Sequence, residues 1–280
     1  MATKAYFGFP RVTDAFTLSG GNWLATYPLL QLQTLPLSYV ARTFDATTPS
    51  TIIIATASSP QLCSVVSLAG HNLSQSATIV VETWTDVAGT LGHTTSGSMN
   101  VWAAGYTSAE LAGAVWTWFY RFSDPTAATV GMIKLSITDT GNTAGYIQAG
   151  FLEIADAFEP SPTFEFGGQY GFDWASITTK AIGGAAYVDV RPHPRVLKIN
   201  FPLVSRDNSM DKFHEMKRQL RSDTPVLVVP LPTETSHLLR TVMLARQIDP
   251  GLSTIRMAAV GGGLSGIVDA VPMWLEEIIG

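Results

Sequence analysis

The sequence predicts a mainly β protein, with an N-terminal jelly-roll β-sandwich followed by a smaller β-rich, barrel-like domain that contains one helix. Short apolar or alternating runs recur at spacings of roughly 8–12 residues, which is typical of sandwiches. Helical periodicity is clear only near residues 209–221. The run Glu159-Pro160-Ser161-Pro162 divides the chain, because proline lacks a backbone N–H and holds its neighbours extended.

The first domain, residues 1–160, is predicted to consist of strands joined by polar turns. The predicted strands cover residues 37–44, 50–56, 62–74, 77–84, 111–122, 130–138 and 146–154, and residues 89–98 are read as a Gly/Thr/Ser loop. Apolar side chains alternate with the others in residues 130–138, so one face of that strand is expected in the core. Residues 139–142 are expected to form a hairpin turn.

The second domain, residues 161–280, is predicted to be a small sheet or open barrel packed on the helix. Its predicted strands cover residues 185–190, 195–204, 226–229, 237–249, 253–260 and 266–279. Asn208 or Ser209 is expected to cap the helix. The apolar residues that recur on one face of the helix are Met210, Phe213, Met216 and Leu220.

Large aromatic residues crowd the connection between the two domains. They are Phe164, Phe166, Tyr170, Phe172 and Trp174. A free linker has no use for so many apolar rings, because exposed apolar patches mark contact surfaces. We predict that they pack between the domains or against a neighbouring subunit.

Charge and hydropathy exclude several classes of protein. The formal net charge is −5, and only five of the 17 lysines and arginines precede Pro160. The second half carries enough Asp and Glu to balance its cations, so we expect no nucleic-acid sequence recognition. No apolar run approaches the ~20 residues of a membrane helix, and no secretory signal is visible. We therefore expect a soluble protein, made in a cytoplasm, with no membrane insertion.

No residue pattern indicates a catalytic or metal site. The five histidines lack the spacing of zinc ligands, and the single cysteine, Cys63, lies in an apolar run that favours burial. Residues 261–266 formally fit a dinucleotide-binding glycine motif, but Pro272 follows where a helix is needed, so we interpret them as a hairpin loop. We predict no catalytic residue, no metal and no cofactor.

Tryptophan offers the clearest candidate for ligand contact. Trp84 and Trp102 could stack on sugar rings, whereas Trp116 and Trp118 share one face of a predicted strand and are expected in the core. The dipeptide His71-Asn72 is interpreted as a loop cap, because Asn tolerates turn geometry and bonds backbone groups.

Several short signatures, in order, resemble tailed-bacteriophage structural proteins with a galactose-binding-like jelly-roll domain. They are SLAGHNLSQSAT at 67–78, GYIQAGFLEI at 145–154, FEPS at 158–161, Gly183-Gly184, Tyr187, RPHPRVL at 191–197 and PVLVVP at 225–230. Together they span about residues 20–232.

The resemblance implies a non-enzymatic virion protein of the tail tip or baseplate, of the distal tail protein kind. Such a protein forms a ring or adaptor that links the tail tube to the adsorption apparatus. The implied partners are further copies of itself, expected as a hexamer, together with the tail tube and the baseplate hub. The implied location is the virion, after assembly in the host cytoplasm. In typical distal tail proteins the ring-forming domain comes first, whereas here the sandwich does.

Two alternatives stay open. A carbohydrate-binding module that recognises a host-surface glycan would need Trp84 or Trp102 exposed in a concave patch. A glycan hydrolase would need two carboxylates about 5–9 Å apart in a cleft.

Overall fold

The computed structural model describes residues 4–102, 105–107, 110, 115–123, 127–161, 163–164, 167–174, 176–220, 224–234, 236–249, 252–260 and 263–279. The chain divides into two compact units. The first unit is formed by Met1–Glu159 with Val226–Leu244, and the second by Pro160–Pro225 with Ala245–Ile279.

Strands dominate the described residues. In chain order they are β1 (Tyr6–Arg11), β2 (Phe16–Ser19), β3 (Ala41–Arg42), β4 (Ile52–Cys63), β5 (Val65–Ala69), β6 (Thr78–Trp84), β7 (Thr94–Asn100), β8 (Thr117–Arg121), β9 (Ala128–Thr138), β10 (Gln148–Ala149), β11 (Phe151–Phe158), β12 (Gln169–Phe172), β13 (Ile177–Lys180), β14 (Ala186–Asp189), β15 (Arg195–Ser205), β16 (Val226–Val229), β17 (Met243–Asp249), β18 (Thr254–Val260) and β19 (Gly263–Glu277).

The helical segments are short. They are two 3-10 turns (Thr13–Ala15 and Leu29–Gln33), α1 (Arg206–Asn208), a π-helical segment (Ser209–His214), α2 (Glu215–Gln219) and α3 (Leu238–Thr241). No helix within the described ranges is long and apolar enough to cross a membrane.

The first unit is a jelly-roll sandwich. One sheet has the order β2-β4-β9-β6-β7, and the facing sheet contains β16-β1-β11-β5-β8. Along the chain, the pair β6–β7 lies between the strands of the pair β5–β8, which in turn lies between the strands of the pair β4–β9. The pairs β4–β9 and β6–β7 belong to the first of the two sheets, and β5–β8 belongs to the second. This nesting is that of a long hairpin rolled over itself, which is the jelly-roll arrangement. The mainly β, sandwich-first prediction is confirmed.

Side chains from both sheets share one core. Ile133, Leu135 and Ile137 of β9 pack in the same buried cluster as Leu152 and Ile154 of β11. The alternation predicted for residues 130–138 is therefore confirmed, because every second residue of β9 faces inward. Trp116, Trp118 and Cys63 also lie in this cluster, as expected.

Several segments of the first unit differ from their predictions. Of the predicted strand over residues 37–44 only β3 is a strand, and the predicted strand over residues 62–74 contains the end of β4, all of β5 and a loop. The Gly/Thr/Ser run read as a loop contains β7, which pairs with β6 as an exposed edge strand. Met99 is its only apolar side chain, so no alternation marks it as a strand. Residues 237–249, predicted to be a strand throughout, begin with α3 and become strand only at Met243.

The segment Val226–Leu244 belongs with the first unit, whereas the sequence analysis placed it in the second domain. Val228 of β16 pairs with Phe7 of β1. Leu227 and Val229 join a second buried cluster, on the side of the sheet away from the sandwich core. Residues 226–229 do form the predicted buried strand, but a short apolar run does not show which sheet it joins.

The second unit is built around β19. This strand pairs antiparallel with β15, β17 and β18, and β15 also pairs with β12. Strands β13 and β14 form a separate hairpin in which every residue is exposed. Phe213 and Met216 of the helical segment are fully buried, with the Phe213 ring 5.0 Å from that of Phe201.

The predicted helix near 209–221 is present but starts earlier, at Arg206. Ser205 is its cap, because the Ser205 hydroxyl accepts a hydrogen bond from the backbone N–H of Asn208 at 3.4 Å. Met210 is 37% exposed rather than buried, and Ser209 is buried in its place. Ser209–His214 forms a π-helical turn, which is wider than an α-helical turn and so changes which residues face the core. The prediction assumed α-helical spacing and therefore placed Met210, rather than Ser209, on the buried face.

A candidate ligand-binding cleft

A cleft of about 600 Å³ opens at the loops that follow β5, β7 and β9 in the first unit. Its lining residues are His71, Asn72, Leu73, Ser74, Gln75, Ser76, Trp102, Trp116, Gly141, Asn142 and Thr143. None of these side chains is an acid, a lysine or an arginine. The cleft therefore presents aromatic, amide and hydroxyl groups.

Asp139 ties together the two loops that form the cleft. Its buried carboxylate accepts hydrogen bonds from the backbone N–H of Ser74 at 2.8 Å and from the Ser74 hydroxyl. It also accepts one from Asn142 Nδ2 at 2.9 Å. Asn142 N–H donates to the Asp139 carbonyl, which closes a turn over residues 139–142. This turn is not the predicted hairpin, because β9 pairs with β4 and β6 and not with β10 or β11. A carboxylate with three such donors is held for structure and is not open to a ligand.

Asn72 holds the cleft from the other side. Its Nδ2 donates to the Tyr146 carbonyl at 3.0 Å, and its Oδ1 accepts from the Gln148 N–H at 2.7 Å. From the sequence, Asn72 was predicted to cap its own loop. Its amide instead bonds a segment more than 70 residues away, and so fixes one loop against the other.

Aromatic rings form one wall of the cleft. The His71 and Trp102 rings meet edge to face at 5.4 Å, and the Trp102 and Trp116 rings at 5.2 Å. Trp102 Nε1 donates to the Leu73 carbonyl at 3.1 Å, which fixes the indole. Trp102 is only 6% exposed, so it offers the cleft a small part of its ring.

His71 enters the cleft as a neutral imidazole. Burial lowers the pKa of His71 to about 4, and this effect outweighs the opposing charge of Asp139. Nδ1 is buried and has no hydrogen-bond partner in the described part of the chain. In a neutral imidazole one ring nitrogen donates and the other accepts, so Nε2 can exchange one hydrogen bond with a ligand hydroxyl, in the direction that the tautomer sets.

Trp84, the other predicted stacking residue, lies away from the cleft. It is on the outer side of β6, where its ring stacks on His93 with centroids 4.7 Å apart. His93 and Lys134 both bond the carboxylate of Glu82, at 3.1 and 2.7 Å. The structure therefore does not bring Trp84 and Trp102 together, and His93 covers one face of the Trp84 ring.

The connector aromatics divide into two groups in the second unit. Phe164 packs against Phe201, with ring centroids 6.3 Å apart. Tyr170, Phe172 and Trp174 are 82%, 62% and 77% exposed. Phe166 lies outside the described residues. Their predicted packing between domains or subunits stays a prediction.

Two further predictions from the sequence concern Cys63 and metal sites. Cys63 is buried, and burial followed by the charge of Asp156 raises the pKa of its thiol to about 12, so it is an inert core residue. Among the described residues there is no group of three His, Cys, Asp or Glu side chains that could hold a metal ion.

No protein-family model matches the chain, and no curated protein matches it. Among solved structures, it is similar to CBM32-1 from a family 31 glycoside hydrolase of Clostridium perfringens, with 10% identity and a TM-score of 0.37 over 53% of this chain and 99% of that one. It is also similar to the family 32 CBM of C. perfringens NanJ in complex with galactose, with 11% identity and a TM-score of 0.37 over 54% of this chain and 98% of that one. At this identity and TM-score the similarity assigns no ligand to this chain.

Proposed function

We propose that the first unit binds carbohydrate in the cleft and does so without hydrolysing it. The observation that carries this proposal is the composition of the lining, which combines aromatic rings with uncharged amide and hydroxyl side chains. Its volume of about 600 Å³ suits a small ligand. Sugars present apolar C–H faces that pack on aromatic rings and hydroxyls that bond amides and imidazole.

The lining argues for binding rather than catalysis. Glycosidases use two carboxyl groups that flank the scissile bond. No carboxylate is among the cleft-lining residues, and nearby Asp139 is occupied by Ser74 and Asn142. The cleft therefore lacks the pair that the hydrolase alternative requires.

A glycan array with three proteins tests the carbohydrate proposal. The unaltered protein should bind at least one class of glycan. Ser76→Tyr places a bulky ring at the exposed edge of the cleft and should abolish that binding. Trp84→Ala, on the outer side of β6, should leave it unchanged. Binding that survives Ser76→Tyr and is lost in Trp84→Ala would move the site to Trp84.

We also propose that the whole chain acts as a virion structural protein of a phage tail tip or baseplate, in a ring or adaptor. The resemblance in the sequence motivates this proposal, and exposed apolar residues in the second unit support it. They are Tyr170, Phe172, Trp174, Ile177, Ile182, Tyr187, Val188 and Val190. Such a concentration on a monomer surface is typical of a protein contact.

Native mass measurement of the purified chain tests the assembly proposal. The unaltered protein should form a closed oligomer, expected to be a hexamer. Phe172→Ser combined with Trp174→Ser should shift it to monomer. Tyr39→Ser, which removes a ring that is 58% exposed in the first unit, is the matched control and should not. A monomer at every concentration, also in the presence of other tail proteins, would contradict the ring.

A further inference from the structure

Arg42 is held rigidly in the first unit without a counter-ion. Its guanidinium carbon lies 4.5 Å from the ring centroid of Tyr27 and 4.2 Å from that of Tyr146. Its Nη2 donates to Gln148 Oε1 at 2.8 Å. We call these four residues the arginine clamp. Within the described ranges the guanidinium makes no other hydrogen bond and no ion pair.

This lack of a counter-ion is exceptional among the arginines that the structure describes. The sequence has 11 arginines, and Arg221 and the side chain of Arg256 lie outside the described parts, which leaves nine. Eight of the nine pair with an aspartate or glutamate, and Arg42 is the ninth. The nearest carboxylate along the chain, Asp45, bonds Thr47 instead.

The backbone around Arg42 fixes the clamp before any ligand arrives. Strand β3, which contains Arg42, pairs with β10, so that Arg42 lies opposite Gln148. The buried Thr43 exchanges further hydrogen bonds with Ile147, from both its backbone and its hydroxyl. A cation that is already ordered loses little conformational freedom on binding, so more of the interaction appears as affinity.

The arginine clamp adjoins the cleft. The cleft-lining Asn72 bonds the carbonyl of Tyr146 and the N–H of Gln148, and these are two of the clamp residues. Nε of Arg42 is buried and has no hydrogen-bond partner in the described residues, and Nη2 already bonds Gln148. The remaining N–H groups of Nη1 and Nη2 are the donors that a carboxylate can accept from.

We propose that Arg42 binds the carboxylate of an acidic sugar, a uronic or a sialic acid, whose ring occupies the neighbouring cleft. This inference rests on the carbohydrate-binding function proposed above and narrows its ligand class. A nucleic acid fits less well, because phosphate backbones are bound by several cations on one face. The cleft lining has none, so one cation beside an uncharged cleft suits one acidic group on an otherwise neutral ligand.

Binding measurements with matched sugars test this assignment. Galactose, galacturonic acid and the methyl ester of galacturonic acid differ only at C6, and N-acetylneuraminic acid distinguishes a sialic from a uronic ligand. In a ligand-observed NMR titration, one of the two acids should bind roughly tenfold or more tightly than the uncharged sugars, as expected for a charge-assisted hydrogen-bonded pair. The preference should weaken at high salt.

Variants then assign the preference to one side chain. In Arg42→Gln, the ratio of the affinity for the acid to the affinity for the uncharged sugars should fall to about one. The binding of the uncharged sugars themselves should remain. Arg218→Gln removes the same charge from an exposed ion pair in the second unit and should retain the full preference. If Arg42→Gln fails to fold in a melting assay, Arg42→Lys, which keeps the charge but loses the planar guanidinium, should lower the preference for the acid instead.

The two proposals fail in different ways. Equal binding of both acids and the uncharged sugars, or an acid preference that survives Arg42→Gln, overturns the role of Arg42 and leaves the carbohydrate function standing. Absence of any sugar binding, on the array and in solution, overturns the carbohydrate function itself.

Discussion

The carboxylate of Asp139 accepts hydrogen bonds from both the backbone N–H and the hydroxyl of Ser74, 65 residues earlier in the chain. These bonds join the loop after β5 to the loop after β9, and the cleft lies where the two loops meet. The shape of the cleft therefore depends on a residue that contributes nothing to its lining.

Asp139→Ala should destabilise the first unit and weaken ligand binding together. The change leaves the donors of Ser74 and Asn142 unpaired, at a cost of about 3 kcal/mol in the free energy of unfolding. Urea unfolding measures this loss. Asp14→Ala, which removes a carboxylate with a 76% exposed side chain, should shift stability by no more than about 0.5 kcal/mol. An equal effect of the two changes would contradict the role assigned to Asp139.

His71→Phe should weaken glycan binding by about tenfold and leave the fold intact. Phenylalanine keeps the edge-to-face contact with Trp102 but removes Nε2, the atom proposed to form a hydrogen bond with a ligand hydroxyl. Binding by the unaltered protein should stay constant from pH 8 to 6, because the pKa of His71 is lowered to about 4 and the ring is neutral there. A glycan affinity that changes between pH 8 and pH 6 would contradict a neutral His71 ring.

His71 should also make the folded protein less stable at acid pH. Its folded-state pKa is lowered below the ordinary value of 6.5, so the unfolded chain binds the proton more tightly. Its contribution is fully present above pH 6.5 and is lost as the pH falls through about 4. Between pH 7 and pH 4.5, the free energy of unfolding measured in urea should therefore fall less for His71→Phe than for the unaltered protein.

Glu153→Gln should stabilise the protein most at high pH. Glu153 is fully buried in β11, and burial raises its pKa to about 8 despite the charge of Arg11 and a hydrogen bond from the Leu227 N–H. The folded state therefore binds this proton more tightly than the unfolded chain does.

The stabilising contribution of the protonated Glu153 carboxyl is fully present below pH 4.5 and is lost as the pH rises through 8. The free energy of unfolding then falls by up to about 1.4 kcal/mol per pH unit. Unfolding free energies at pH 5, 7 and 9 should show a shallower decline for Glu153→Gln. Asp207→Asn, an exposed carboxylate in the second unit, serves as the control. Parallel pH profiles for Glu153→Gln and the unaltered protein would refute the buried proton.

Gly131→Ala should destabilise the sandwich, because β9 passes close beneath the loop after β6. A methyl group at Gly131 would lie 2.2 Å from the carbonyl carbon of Asp86. Backbone must then move, at an expected cost of about 1–3 kcal/mol. Gly171→Ala in β12, where a methyl group meets nothing within 4 Å, is the matched control in thermal melting. Equal melting temperatures would show that the loop yields freely.

Local patterns were sufficient for most of the sandwich. The alternation in β9 predicts both its strand and its buried face. Residues 139–142 do form a turn, but the predicted hairpin is wrong, because β9 pairs with β4 and β6 while β10 and β11 pair in other sheets. The edge strand β7 was not predicted because Met99 is its only apolar side chain, which is too few to show an alternation. A strand is recognised by what it buries, and β7 buries little.

The cleft could not be predicted, because it depends on contacts between distant segments. His71, Trp102 and Asn142 come from three loops, and nothing near any one of them indicates the others. The arginine clamp is similar, since Tyr27 and Tyr146 are far apart in sequence and Arg42 has no motif around it. The absence of an ion pair at Arg42 is visible only in three dimensions.

The placement of β16 has a consequence for the order in which the protein is made. A ribosome releases Met1–Glu159 first, but the outer face of the sheet that contains β1 is covered by Leu227, Val229 and Val242. Those residues emerge only after Pro160–Pro225, so the first unit cannot complete its fold during its own synthesis. A chain ended at Glu159 should therefore bind hydrophobic dyes and aggregate, whereas Val226–Leu244 supplied as a separate peptide should suppress both.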